Sequence, residues 1–185
     1  MSVIYIDLGC SDGATVENFL KRESFLPELA NQCDAVYAFD PIRDPNWEQV
    51  ENSYHNVNFY ECAVGIAQGH AWLSMNDNPE ARTIVQANKN YEEAPLKQRV
   101  KVIDFCAWFD EHIHFEDTVI VKMDIEGAEY VILDKLIETK LISRINHLFV
   151  EFHAFCILDD KKETYVQAEQ RIRQECQIEI HPIKA

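Results

Sequence analysis

Apolar positions in this chain fall into short runs that alternate with segments of helical spacing. SVIYIDL (2–8), AVYAFD (35–40), VNFYECAV (57–64), TVIVKMD (118–124) and HLFVEFH (147–153) have strand length and are rich in β-branched and aromatic residues. Between them, apolar residues recur every three or four positions. From Asp12 to about Asn31, Val16, Phe19 and Leu20 share one helical face, and Pro27 breaks or restarts the helix. PNWEQVENSY predicts a short helix with Pro45 early in it, and VIDFCAWFDEHI (102–113) a longer one. GAEYVILDKLIETKLI is expected to line Ala128, Val131, Ile132 and Leu136 along one face. TYVQAEQRIRQECQ predicts a last amphipathic helix and QIEIHPI a closing strand.

This alternation predicts βαβ units, hence an α/β fold with a mainly parallel sheet and helices on both faces. Residues 66–100 interrupt it: AWLSM, TIV and QRVKV read as short strands between Asn-rich polar segments, a small β insertion rather than a second domain. No internal repeat or low-complexity linker divides the chain, so residues 1–185 are expected to form a single domain.

In such sheets ligands bind beyond the carboxyl ends of the strands, where strand order reverses. Asp7, Gly9, Asp40, Cys62, Asp124 and Glu151 all fall at or just past predicted strand ends. The segment VKMDIEGAEY (121–130) is the clearest case. Buried charge is costly unless it is paired or leaves the core, so Lys122, Asp124 and Glu126 imply either mutual neutralisation or a wet crevice.

Four features carry candidate chemistry. In DLGCSDGATVENF (7–19), Gly9 and Gly13 flank a strand-to-helix turn with Ser11 and Asp12 at the helix start. The spacing is G-x-x-x-G, without the G-x-G-x-x-G of a dinucleotide site, and its carboxylates suit a ligand ammonium better than a pyrophosphate. A structural turn with a capping Asp gives the same pattern. Asp40 is placed to accept both hydroxyls of a ribose, although Asp before Pro41 is also an ordinary turn pair. CAVG (62–65) puts small residues where a flat ring could lie. Finally, KMDIEGAE and VEFH (150–153) could bring Asp124, Glu126, Glu151 and His153 together as a general-base cluster, or as a metal site of Asp124, Glu151 and His153. The alternative there is a Lys122–carboxylate ion pair, with Glu126 and Glu129 stabilising a helix start.

Composition narrows the function classes. A formal charge of −15 weighs against nucleic acid as a partner, and the basic residues are dispersed along the sequence. The six cysteines show no metal-ligand spacing and are expected to be reduced, mostly buried thiols of a cytoplasmic protein. No apolar run is long enough to span a membrane, and the start MSVIYIDLGC lacks the basic region of a signal peptide.

Taken in order on successive strand-to-helix turns, VIYIDLGCSDGATVENF, AFDP, ECAVG, VIVKMDIEGAEYVIL and FVEFH resemble class I S-adenosylmethionine-dependent methyltransferases, and more narrowly the FkbM family. The resemblance runs from the first strand to about residue 153. It implies a Rossmann-like methyltransferase sandwich, S-adenosyl-L-methionine as cofactor and S-adenosyl-L-homocysteine as product. The implied reaction is in-line O-methylation of a hydroxyl on a sugar, glycan or natural-product acceptor.

Carried onto the matching residues, it implies that Asp7 and the Gly9 backbone hold the methionine ammonium, with Cys10, Ser11, Asp12 and Gly13 wrapping the amino-acid end. Asp40 and Pro41 would take the ribose, Cys62 and Ala63 the adenine, and Asp124 would stand beside the reacting methyl. Asp124 is the first candidate for general base and His153 the second. Lys122 would pair with or tune Asp124, and Glu126 or Glu151 would orient the acceptor. No metal enters the implied mechanism. Relatives often carry N-terminal helices over the site and a seventh strand, so a fused domain or a second subunit is expected to complete it here. Three other readings compete: an NAD(P)-dependent oxidoreductase, disfavoured by the missing glycine and acidic turn; a metal-dependent hydrolase using Asp124, Glu126 and His153; and a degenerate methyltransferase fold serving as an interaction module, against which the intact Asp7, Gly9, Gly13, Asp40 and Asp124 speak.

Overall fold

A computed structural model describes residues 1–183. In chain order the strands are β1 (Val3–Leu8), β2 (Cys33–Asp40), β3 (Val57–Glu61), β4 (Ala63–Gly65), β5 (Gly69–Met75), β6 (Leu96–Asp104), β7 (Thr118–Met123), β8 (His147–Val150) and β9 (Ile180–Pro182). The helices are α1 (Ala14–Leu20), α2 (Pro27–Ala30), α3 (Trp47–Ser53), α4 (Lys89–Glu93), α5 (Phe105–His112), α6 (Glu129–Glu138) and α7 (Asp159–Glu175). Six strands form one parallel sheet in the order β3-β2-β1-β7-β8-β9. The chain runs outward from β1 to β3, returns, and runs outward the other way from β7. The reversal therefore lies between β1 and β7.

Strand alternation builds two cores. Ile4, Ile6 and Leu8 of β1 and Val119, Val121 and Met123 of β7 pack with Phe105 and Phe109 of α5 and Ile132, Leu133 and Leu136 of α6. Tyr5 and Ile120 point the other way, toward Val16 and Phe19 of α1 and Trp47 and Val50 of α3. Both faces of β1 and β7 are covered, which is why these strands are nearly continuous apolar runs. Each side chain fully buried in this way contributes about 1.5–3 kcal/mol.

The sequence expectations hold in outline and fail at specific joints. VNFYECAV is not one strand: it breaks at Cys62, and β4 leaves the main sheet to pair with β6. VIDFCAWFDEHI is not helical throughout. Residues 102–104 finish β6, and the helix starts at Phe105, where the Asp104 side chain accepts the Ala107 N–H at 3.1 Å. The insertion is a second, three-stranded sheet, β4-β6-β5, with an antiparallel β5–β6 hairpin. Thr83–Val85 is not a strand there: Thr83 meets β5 only at Ser74, its N–H donating to the Ser74 hydroxyl at 2.8 Å, and its own hydroxyl accepts the Val85 N–H at 3.0 Å in a local turn. In α6 and its N-cap, Ala128, Ile132 and Leu136 are buried as expected, but Val131 is exposed and Leu133 is buried in its place. The long segment before β2 is two short helices separated at residues 21–26.

Candidate active site

The β1–β7 reversal opens into a cavity of about 1100 Å³ at the carboxyl ends of the strands. Gly9, Cys10, Ser11 and Asp12 line it from the turn after β1, Asp40 and Pro41 from the end of β2, and Cys62 and Ala63 from the β3–β4 joint. Lys122, Asp124 and Glu126 line it from β7 onward, and Glu151 from beyond β8. Most of the residues singled out from the sequence thus share one hollow.

The first turn is shaped by its close approach to the main chain that follows β7. Gly9 has φ +81°, and a Cβ placed there would lie 1.8 Å from the Asp124 carbonyl oxygen, so only glycine fits. Ser11 also has positive φ (43°), and its N–H donates to Asp40 Oδ2 at 3.0 Å. Asp40 Oδ1 accepts the Ile42 N–H at 3.0 Å. These two bonds fix the carboxylate plane and leave lone pairs toward the cavity. Burial lifts the Asp40 carboxyl to about 6, against the two backbone N–H groups that pull it down. Cys62 is buried and its thiol pushed up to about 11, so this wall is neutral.

Asp7 is a correction. Its carboxylate is fully buried beneath the cavity, accepting from Tyr5 Oη at 2.9 Å and Lys122 Nζ at 3.2 Å. It cannot meet a ligand ammonium, because a lysine buried in the sheet requires a counter-ion and Asp7 supplies it. Lys122 Nζ also donates to the Gly9 carbonyl at 3.1 Å and stands 3.5 Å from Asp124 Oδ2. Burial works against the ammonium, but Asp7 and Asp124 outweigh it and raise Lys122 above its ordinary range. Gly13 does not reach the cavity either; it packs on Trp47 and Val50.

Past β7 the charge is arranged differently. Glu126 adopts a left-handed backbone (φ 54°), and its carbonyl is held by the Thr83 hydroxyl at 2.8 Å and the Asn88 amide at 3.0 Å. Both donors come from the β insertion, which pins this corner from outside the main sheet. His153, 2 % exposed, stands behind the cluster. Its Nδ1 faces Glu129 Oε1 at 3.2 Å, and its backbone N–H donates to the same oxygen at 2.8 Å. Its Nε2 faces Glu126 at 3.3 Å, Asp124 at 3.6 Å and Glu151 at 3.9 Å. Burial alone would strip the imidazole of its proton, but Glu126 and Glu129 outweigh it and push the group to about 11. Those two carboxylates favour the protonated ring, which weighs against His153 as the second candidate base. Burial, with Asp124 next, raises the Glu151 carboxyl.

Residues 13–176 match the family model for the methyltransferase FkbM domain. The chain belongs to the FkbM methyltransferase family. Among solved structures it is similar to the methyltransferase FkbM from Methylobacillus flagellatus KT, at 14 % identity and a TM-score of 0.53. That alignment covers 94 % of this chain and 37 % of the other, so the chain spans little more than a third of its structural neighbour. At that identity the likeness concerns the fold: the six-stranded parallel sheet with helices is the Rossmann-like methyltransferase arrangement. No curated protein matches the sequence. Among the described residues no helix is long and apolar enough to cross a membrane, and all six cysteines are free.

Several residues of this cavity and its surroundings were not visible in the sequence. Thr83 and Asn88 lie in the polar insertion, where no periodicity marks them. Arg82 lines the cavity with its Nε buried and unpartnered, and it forms no ion pair among the described residues. Glu129, expected only to support a helix start, does accept the Gly127 N–H at 2.9 Å but also fixes His153. Its place on the apolar side of α6, one turn before Leu133, is the sequence signal for its burial.

Proposed function

We propose that this FkbM-family chain is an S-adenosylmethionine-dependent O-methyltransferase acting on a hydroxyl of a sugar, glycan or natural-product acceptor. The observation that supports this best is the single cavity that joins the Gly9–Asp12 turn, Asp40, Cys62–Ala63 and Asp124 at the strand-order reversal. These residues fit the cofactor. The Gly9 turn leaves bare backbone at the cavity wall, the fixed Asp40 carboxylate suits a ribose diol, and the small, neutral Cys62–Ala63 wall suits a purine. With Asp7 sequestered, the ammonium falls to Asp12 and the turn carbonyls. The partnerless Arg82 is free for a carboxylate. A volume near 1100 Å³ exceeds what one drug-sized ligand needs and leaves room for an acceptor.

Bound there, S-adenosylmethionine supplies an electrophilic methyl group on a sulfonium centre. The chain's own part is positioning, exclusion of water and removal of one proton. Asp124 lines the cavity and is held between Lys122 and His153, which leaves it oriented to accept the acceptor's hydroxyl proton. Glu151, on the same rim, orients that hydroxyl.

Calorimetric titration with S-adenosylhomocysteine, with NADH in parallel, tests the reading. S-adenosylhomocysteine should bind and raise the melting temperature, since a ligand at 100 times its dissociation constant adds about 2.7 kcal/mol. Binding of NADH in its place would hand the site to a nicotinamide oxidoreductase.

A further inference from the structure

We infer that Asp124, Glu126 and His153 form a binding site for a divalent cation, of the Mn²⁺ or Mg²⁺ type, at the acceptor end of the cavity. The inference rests on the methyltransferase reading only for what the cation would do there; the site itself stands on geometry.

One ligand atom from each of these residues lies within 4.8 Å of the others. Ligands about 2.0–2.2 Å from a common ion are separated by roughly 3–4.4 Å, so small side-chain rotations suffice. More than carboxylate proximity marks the place. His153 is buried, its Nδ1 side and backbone N–H are both committed to the fully buried Glu129, and Nε2 is thereby aimed into the cluster. A histidine oriented by a carboxylate behind it is the usual support of a metal-binding imidazole. Glu126 Oε2 is buried with no hydrogen-bond partner among the described residues. The Nε2 distances to Asp124 and Glu126, 3.6 and 3.3 Å, are long for charge-assisted hydrogen bonds, which close to 2.7–2.9 Å. These groups converge at separations that leave Glu126 Oε2 unpartnered among the described residues.

Charge balance points the same way. Lys122 is shared between Asp7 and Asp124, so among the described residues His153 is left as the partner of Glu126, Glu129 and Glu151 and shares Asp124 with Lys122. Carboxylates gathered round one imidazole, with Glu129 fully buried and Glu126 largely so, favour further compensation, and a divalent ion supplies it with the release of the Nε2 proton to solvent. Carboxylate oxygens in the majority favour Mn²⁺ or Mg²⁺ over softer metals, and one imidazole favours Mn²⁺ of the two. Three protein ligands leave coordination positions open toward the cavity, where hydroxyl oxygens of an acceptor can enter. The cation would thus select acceptors that present a chelating pair of oxygens, such as a vicinal diol.

The test is a titration of EDTA-stripped protein with Mn²⁺ alone, following the free-ion electron paramagnetic resonance signal, with S-adenosylhomocysteine calorimetry on the same samples. One Mn²⁺ should be retained per chain, and Glu126→Gln should weaken it at least tenfold with S-adenosylhomocysteine affinity unchanged. If Glu126→Gln does not fold, as judged by its melting curve, Asp124→Asn serves with the same expected loss. Absence of Mn²⁺ retention at millimolar concentration, or undiminished retention in the variant, overturns the inference. Mn²⁺ retention without S-adenosylhomocysteine binding leaves the metal site standing and removes the methyltransferase reading; the reverse result removes only the metal site.

Discussion

Two acidic corners lie side by side at the strand-order reversal, and they treat charge in opposite ways. At the first, Asp7 is closed off: Tyr5 and Lys122 take its oxygens, and no part of it reaches solvent. At the second, Asp124, Glu126 and Glu151 surround one imidazole at 3.3–3.9 Å and open on the cavity. Both look alike in sequence, as a carboxylate ending an apolar strand. The difference teaches that a balanced buried pair is scaffold, whereas charge left unbalanced at a cavity wall is where chemistry is done.

The contrast can be broken from the scaffold side first. Lys122→Met leaves Asp7 buried without its counter-ion and should cost about 3–5 kcal/mol in urea denaturation, with Asp7→Leu in the same chain recovering most of it. A variant as stable as the parent would show that the first corner is not structural. On the chemical side, Asp124→Asn should lower turnover by about 10²–10⁴, the range for a lost general base, while S-adenosylhomocysteine affinity changes little. If affinity falls in step with turnover, Asp124 holds cofactor instead. The smallest effect concerns Asp40. Its carboxyl, lifted to about 6 by burial, is ionised above that pH and protonated below it. S-adenosylhomocysteine affinity should be flat above about pH 7 and weaken about tenfold by pH 5, one pKa unit being a factor of ten in protonation. Asp40→Asn should flatten that profile.

Local pattern carried the main sheet because β1, β2, β7 and β8 are apolar on both faces, and such runs have few other uses. It carried the cavity walls as well, since strand ends are where a parallel sheet exposes polar groups. It failed where a residue's role depends on a distant partner. Nothing near Asp7 announces that Lys122, 115 positions away, needs it more than a ligand does. Cys62 breaks its strand because β6 offers β4 another partner, a fact of topology. The Thr83 and Asn88 bonds to the Glu126 carbonyl join segments 43 and 38 residues apart, and Asn-rich polar sequence gives no sign of them. His153 was recognised as a site residue, but its attachment to Glu129 was missed, because Glu129 was read as a helix-end group alone.

The contact between Gly9 and the Asp124 carbonyl has a wider consequence. The loop facing the proposed methyl donor and the residue facing the acceptor lean on each other's main chain, so their separation follows the interstrand spacing of about 4.8 Å and is not free to drift. Such a pair behaves as one rigid jaw. Accommodation of larger or smaller acceptors then has to come from other side chains of the cavity wall, such as Arg82, and exchanging those while keeping the Thr83 and Asn88 bonds to the Glu126 carbonyl is the natural way to retarget the fold.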